Sequence, residues 1–476
     1  MVGLSPPLAE GDSIRYTHGM HTHASDSAPE QCPVAAPAPP YPSQWPTHPA
    51  IEPHEPRNLV LLAVHQIVLR VGWIFKTESV IMPAFLDSLG GVGWMRGFMP
   101  LLSRFGQSVP PVLLADWFRA ARSKKRTLAC CVILMSLPFA VLASVCLSGE
   151  AGRFAWMPLL FLTMYGLFFI FYGLYQLSFG ATQGKLIRPT RRGLLLLIAT
   201  STGTIPAILM AWLLMGRWLA LPGGGYGYQF AFTSACFLLS ALLVLLLAEP
   251  LDPQHRRPAI PFRRSVIETR QTLRADPNLR RLVAVAMLFG SGLIVFPHYQ
   301  AFAKQEFGLG GRHLMVWVIV QSISVGTLSL FVGPVADALG NRLTLRTLIL
   351  GAAVAPFYVA SLPYLPHEIG NQLFWLVFLP MGIFPLTLRI LVNYTLEICE
   401  PEEHPRYLST VSLCLAVPFL LSPVVGGLVD VAGFATVFYS VAGLIVLGGL
   451  MTFRLDEPRH RLAGPEVGPV AAGGEE

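Results

Sequence analysis

The sequence predicts an all-α polytopic membrane protein with twelve transmembrane helices in two six-helix bundles. Three observations carry that prediction. Apolar residues make up 53% of the 476-residue chain and charged residues only 13%, where a soluble domain carries about 25% charged. Apolar runs of about 20 residues, long enough to cross a bilayer as helices, recur through most of the chain. The widest gap between runs falls at 250–280 and divides them six and six, the kind of internal repetition found in transporters. Mean hydropathy is +0.56. The short alternating runs of an outer-membrane barrel are absent.

Residues 1–56 are rich in Pro, Ala, Ser and His without apolar periodicity, and read as a disordered cytoplasmic tail. The tail has no apolar core beside its N-terminus and is no secretory signal. His18, His21, His23 and Cys32 lack the spacing of a structural metal frame, so neither metal nor cofactor is expected. The N-terminal bundle, 57–250, holds spans at 58–88, 92–116, 126–148, 154–181, 193–219 and 228–249. Residues 251–280, with Pro253, Pro258, Pro261 and a dense basic run, form a cytoplasmic central loop. The C-terminal bundle, 281–455, holds spans at 281–304, 313–337, 343–364, 370–397, 407–430 and 433–453. A cytoplasmic tail, 456–476, closes the chain. Cys130, Cys131, Cys146, Cys236 and Cys414 fall in apolar segments and read as small core residues.

The basic residues orient the spans. Loop 2–3 carries Arg119, Arg122, Lys124, Lys125 and Arg126; loop 4–5 carries Lys185, Arg188, Arg191 and Arg192. Arginines crowd 256–281, and Arg342, Arg346 and Arg406 follow on the same side. The opposite loops hold only Arg96, Arg153, Arg217, Lys304 and Arg312. The positive-inside rule then puts both termini in the cytoplasm of a multi-pass inner-membrane protein. The net charge of +7 lies in these short loops and signals no nucleic acid.

One loop stands out. Gly333-Pro-Val-Ala-Asp337-Ala-Leu-Gly340-Asn-Arg342-Leu-Thr-Leu-Arg346 lies between the eighth and ninth spans. Gly340 permits a tight turn. Asp337 can accept hydrogen bonds near a helix end, and Arg342 and Arg346 can reach acidic headgroups or hold the loop on the cytoplasmic side. The stretch resembles the loop signature of the major facilitator superfamily, G-x-L-A-D-x-x-G-R-K-x-x-L, with Val335 for Leu, Asn341 for the first basic residue and Arg342 for Lys. Ala115-Asp116 and the basic cluster after it resemble a degenerate first copy at the matching place in loop 2–3. The resemblance covers about 58–455 and implies a bacterial member of unassigned substrate. It implies a switch role for Asp116, Gly333, Asp337, Gly340 and Arg342. The antiporter segment G-P-x-x-G-G has no counterpart in the fifth span.

Ionisable and polar residues inside spans are the candidates for chemistry. Arg70 and Arg104 lie about 18 Å deep at 1.5 Å per residue. Arg389 lies in the tenth span. The resemblance implies a central cavity lined by the first, fourth, seventh and tenth spans. There Arg70 and Arg389 would clamp an anionic or polar solute, with Gln66, Tyr172, Gln176, His298, Gln300 and Asn393 beside them. The alternative is that the arginines pair with Glu78 or Glu397 and hold helices together; for Arg104 that staple role is preferred. His65 and His298 are weighed as proton relays against satisfied buried histidines. The function expected is secondary active transport of a small molecule by alternating access, not catalysis. The bilayer is a partner, and a coupling proton or Na+ is left open. No nucleotide-binding P-loop occurs. A non-transporting sensor or scaffold, and a membrane-embedded enzyme, are the competing classes.

Overall fold

The computed structural model describes residues 52–149, 154–251, 262–400 and 403–457. The tail histidines, Cys32 and most of both tails lie outside them. The described residues form twelve long helical runs, six in each bundle. Ten are long and apolar enough to cross a membrane. The other two are Gly93–Ala120, the second span, and the fifth, which runs Pro189–Met210, Ala211–Met215 and Gly216–Leu219. In the second span Arg104, Gln107 and the internal Pro100, Pro110 and Pro111 dilute the apolar character without shortening the helix.

The first span is two helices, Glu55–Ile74 and Ile81–Ser88, around a break. The third, fourth and sixth spans are Lys124–Leu147, Met157–Leu186 and Tyr226–Leu245. In the second bundle the seventh is Pro277–Ile294 and Phe296–Phe307, the eighth Arg312–Leu339, and the ninth Asn341–Ala352 with Val354–Ser361. The tenth ends in Ile383–Glu397, the eleventh is His404–Ala416 and Ser422–Ala432, and the twelfth is Phe434–Met451. Stacked aromatics fill both bundles, Phe139, Phe168 and Phe237 in the first and Trp317, Phe374 and Phe378 in the second. Close packing of this kind holds helices together where lipid removes the hydrophobic drive.

Residues 251–280 differ from the loop expected. Phe262–Ala275 is an amphipathic helix. Its Thr272 is buried and accepts from Arg406 Nε at 2.6 Å, pinning it to the start of the eleventh span. The bundle edges also shift. Glu55, placed in the tail by sequence, is buried and pairs with Arg188 at 3.1 Å. Asp456 and Glu457, likewise placed in a tail, are packed against the second bundle.

Each bundle fastens its first helix to its last with an asparagine. Asn58 Nδ2 donates to the Ala248 carbonyl and Asn58 Oδ1 accepts from the Ala248 N–H, both at 2.9 Å. In the second bundle Asn278 Oδ1 accepts from the Asp456 N–H at 3.0 Å. A glutamate follows each time. Glu249 accepts from the Lys124 and Lys125 N–H groups at 2.7 and 3.0 Å, capping the third span, and holds Lys185 at 2.8 Å. Glu457 pairs with Arg342 at 3.1 Å in the first turn of the ninth.

The bundles meet at the end away from the 8–9 loop. There the second span crosses the eleventh so closely that a Cβ on Gly93, Gly97 or Gly426 would strike facing backbone. The Gly93 N–H donates to Asp430 Oδ2 at 2.9 Å, and Ser422 Oγ donates to the Gly97 carbonyl. Nearer the midplane, Ser79 Oγ donates to Gln321 Oε1 at 2.7 Å.

Candidate functional site

The site is built on the break in the first span. Phe75 and Lys76 N–H groups fold back on the Gly72 and Trp73 carbonyls at 3.3 and 3.1 Å, the tight closure of a helix end. Thr77 then starts the next helix: its carbonyl accepts from the Met82 N–H at 3.0 Å and its hydroxyl from the Ile81 N–H at 3.3 Å. Polar Lys76, Thr77, Glu78 and Ser79 are thereby held inside the bundle. Lys76 is wholly buried, with Nζ 3.0 Å from the Trp73 ring centre and 4.2 Å from that of Phe168. Its nearest carboxylate oxygen, on Glu78, is 3.6 Å away, and Nζ has no hydrogen-bond partner among the described residues. Glu78 also accepts from Ser103 Oγ at 3.2 Å.

Two connected chambers open from this break. The first, about 450 Å3, is lined from the first, fourth, fifth, eighth and tenth spans and extends past Phe179 to Gln183 and Leu195, near the 8–9 loop end. The second, about 360 Å3, lies against the second, seventh and eleventh spans and contains Glu78, Ser103, Arg104 and Gln107. Arg70, Trp73, Thr77, Ser322, Val325 and Pro385 border both. One wall is an aromatic ladder. Tyr172 stacks with Tyr175 at 6.0 Å and Tyr175 with Phe179 at 5.9 Å, and Trp73 leans on Tyr172 at 4.7 Å.

Three guanidiniums face this space. Arg70 borders both chambers, Arg389 reaches the first from the opposite bundle, and Arg104 reaches the second over the Phe419 ring at 5.1 Å. None makes a hydrogen bond or ion pair among the described residues, whereas Glu78 is engaged by Lys76 and Ser103 and Glu397 by Asn341 at 2.7 Å. Charges so placed in a low-dielectric interior attract anions strongly.

Of the residues proposed from sequence, Gln66, Arg70, Tyr172 and Arg389 line the first chamber together. Gln66 Nε2 also donates to the Tyr175 hydroxyl. Gln176 and Asn393 are exposed and line neither chamber. His298 and Gln300 are buried in the seventh span where it packs on the first and second; both His298 ring nitrogens lack a partner among the described residues. His65 is a satisfied buried histidine, with Nδ1 2.6 Å from Ser240 Oγ and Nε2 3.3 Å from the Tyr175 hydroxyl. Sequence reasoning set Arg104 aside as a staple and did not see the Lys76–Glu78 break. The run Lys76-Thr-Glu-Ser79, four polar residues inside an apolar span, was its signal.

The 8–9 loop forms the tight turn expected, with Gly340 at φ 92° and ψ 151°. Asp337 is engaged, and Gly333 faces open space. The Asp116 side chain lies outside the described ones. Arg342 and Arg346, read from sequence as reaching lipid headgroups or as holding the loop, turn to the end of the twelfth span. Arg342 donates to the Leu455 carbonyl at 2.8 Å as well as pairing with Glu457. Arg346 donates to Thr452 Oγ1 at 3.2 Å and stacks over Phe453 at 3.7 Å. Close acceptors and a ring within the bundle hold them better than mobile headgroups.

Comparison with known proteins agrees with this architecture. Residues 296–472 match the family model described as Major Facilitator Superfamily. No curated protein matches the sequence. Among solved structures, a variant of the nucleoside transporter NupG is similar at TM-score 0.65 and 14% identity, covering 84% of this chain and 100% of that one. A D-xylose–proton symporter is similar at TM-score 0.63 and 14% identity, covering 83% and 98%. A variant of the E. coli fucose:proton symporter FucP is similar at TM-score 0.56 and 13% identity, covering 85% and 100%. At such identities the likeness is one of fold.

Proposed function

We propose that the chain is a major facilitator superfamily member, on the match of residues 296–472 to that family's model and the likeness of fold over 84% of its length, and that it works as a secondary active transporter whose solute is a small organic anion. The observation that carries the choice of solute is the pair of guanidiniums at Arg70 and Arg389, one from each bundle, without a hydrogen-bond or ion-pair partner among the described residues and facing one aromatic-walled cavity. An arginine remains charged at any working pH and presents a fork matched to carboxylate or phosphate. An anion bridging both bundles would give the differential contact that alternating access requires.

The excess of basic residues in loops at the 8–9 loop end supports an orientation with that end and both termini on the cytoplasmic side of the inner membrane. The hydrogen bonds between bundles, at Ser79–Gln321, Gly93–Asp430 and Ser422–Gly97, then close the outer side, and the first chamber leads inward. Loop 8–9, with Asp337, Gly340 and Arg342, governs switching between the two sides. Uptake is driven by an ion gradient; the proton named for the xylose and fucose symporters is the first ion to test here.

The test pairs anions with neutral counterparts of the same shape: benzoate with benzamide, butyrate with butyramide. The anions should raise the unfolding temperature of the purified chain and enter proteoliposomes. Arg70→Met and Arg389→Met should insert and fold yet lose both effects, and Arg70→Lys should fold and lose most uptake. Equal stabilisation by the neutral partners would remove the anion from the proposal. Rescue of a destabilised Arg70→Met by a carboxylate change elsewhere would make Arg70 a helix staple.

A further inference from the structure

The chambers hold more positive charge than one monovalent anion can answer. Arg70, Arg104 and Arg389 project into them and Lys76 lies beneath, while Glu78 is the single carboxylate lining either chamber among the described residues. Glu78 is already engaged by Lys76 at 3.6 Å and by the Ser103 hydroxyl at 3.2 Å. Arg104 therefore remains unpaired beside a carboxylate committed elsewhere. Its guanidinium lies over the Phe419 ring at 5.1 Å, a cation–π contact, and both residues line the second chamber.

We propose that the solute is an organic dianion, with one negative group between Arg70 and Arg389 and the other on Arg104. Arg389 borders only the first chamber and Arg104 only the second, so one carboxylate does not serve both. Arg70 borders both and lies between them. Trp73, Val325 and Pro385 also border both chambers, giving the middle of the solute an apolar passage. Dicarboxylates and phosphorylated organic acids share this chemistry. The inference rests on the anion reading above and adds the number of charges.

Matched solutes separate the two ideas. Thermal unfolding of the purified full-length chain is followed with terephthalate against benzoate against benzamide, and with succinate against butyrate against butyramide. The dianion of at least one series should bind about tenfold tighter than its monoanion, the scale of one added charge-assisted contact. In Arg104→Met and Arg104→Gln that advantage should vanish while the response to the monoanion stays. Dianions no better than monoanions, or a preference that survives both Arg104 variants, overturns the inference and leaves the anion reading standing. Neutral amides as effective as the acids overturn the anion reading itself. No stabilisation by any of these solutes counts against both.

Discussion

At Lys76 an ammonium lies over an indole without a hydrogen-bond partner among the described residues, and the nearest carboxylate, Glu78 at 3.6 Å, also faces the cavity. In the proposed anion site Lys76 would act at a distance, by keeping Glu78 from neutralising the arginines. Lys76→Met removes a buried charge and keeps the length of the side chain. Removing one partner of a fully buried ion pair costs about 3–5 kcal/mol; thermal stability should fall by less than that, because Glu78 is only part-buried and can turn to the arginines of the chamber. Anion affinity should nonetheless fall about tenfold, because the freed Glu78 competes for Arg104 and Arg70. Lys76→Met with Glu78→Gln should restore it. Calorimetric titration with terephthalate decides; a single variant with parental affinity would show that Glu78 does not compete. Sequence singled out Arg70, Gln66, Tyr172 and Arg389, which line the first chamber, because polar groups deep in apolar runs are conspicuous. It grouped Gln176, His298, Gln300 and Asn393 with them because helical spacing says which residues share a face, and not which face meets the cavity. Arg104 was set aside for a related reason: nothing in its own span shows that Glu78 is occupied.

The interrupted first span was legible only in part. Its apolar flanks merge into one run, 58–88, and the turn at Phe75–Val80 depends on contacts from the fourth span that local sequence does not contain. The helix Phe262–Ala275 was hidden by its charge, since its stability comes from packing on the eleventh span. The second span shows what glycines are for at the bundle seam. Gly97→Leu would drive a side chain into the Ser422–Pro423 backbone and should hold the far ends apart. Spin labels on the far ends of the second and eleventh spans should report a longer mean distance; an unchanged distance would mean the seam flexes around the side chain. In the 8–9 turn, Gly340→Ala forces a Cβ into a region of φ and ψ that is essentially glycine's. It should cost about 1–3 kcal/mol of stability by thermal melting, while Asp337→Asn, with no such strain, should slow turnover more than it weakens binding.

The whole fold was the most legible scale. Twelve runs and their division into sixes follow from apolar length and charge placement, which do not depend on fine packing. Cysteines placed at 124 and 342 should react with membrane-impermeant reagents only from the cytoplasm, and one at 311 only from outside; the reverse pattern would invert the molecule. The asparagine fastenings bear on the protein's past and on how it can be cut. Leu-Ala-Glu249-Pro and Leu-Asp-Glu457-Pro end the two bundles with phrases alike at three of four positions, answered by Asn58 in one and Asn278 in the other. Such matching ends are what a duplicated and fused half-length gene leaves behind. Every one of these fastenings lies within its own bundle, so the covalent link between bundles carries none of them. Two polypeptides divided between residues 252 and 261, made in one cell, should each fold, find the other along the Gly93–Gly426 seam, and together regain the uptake of the unbroken chain.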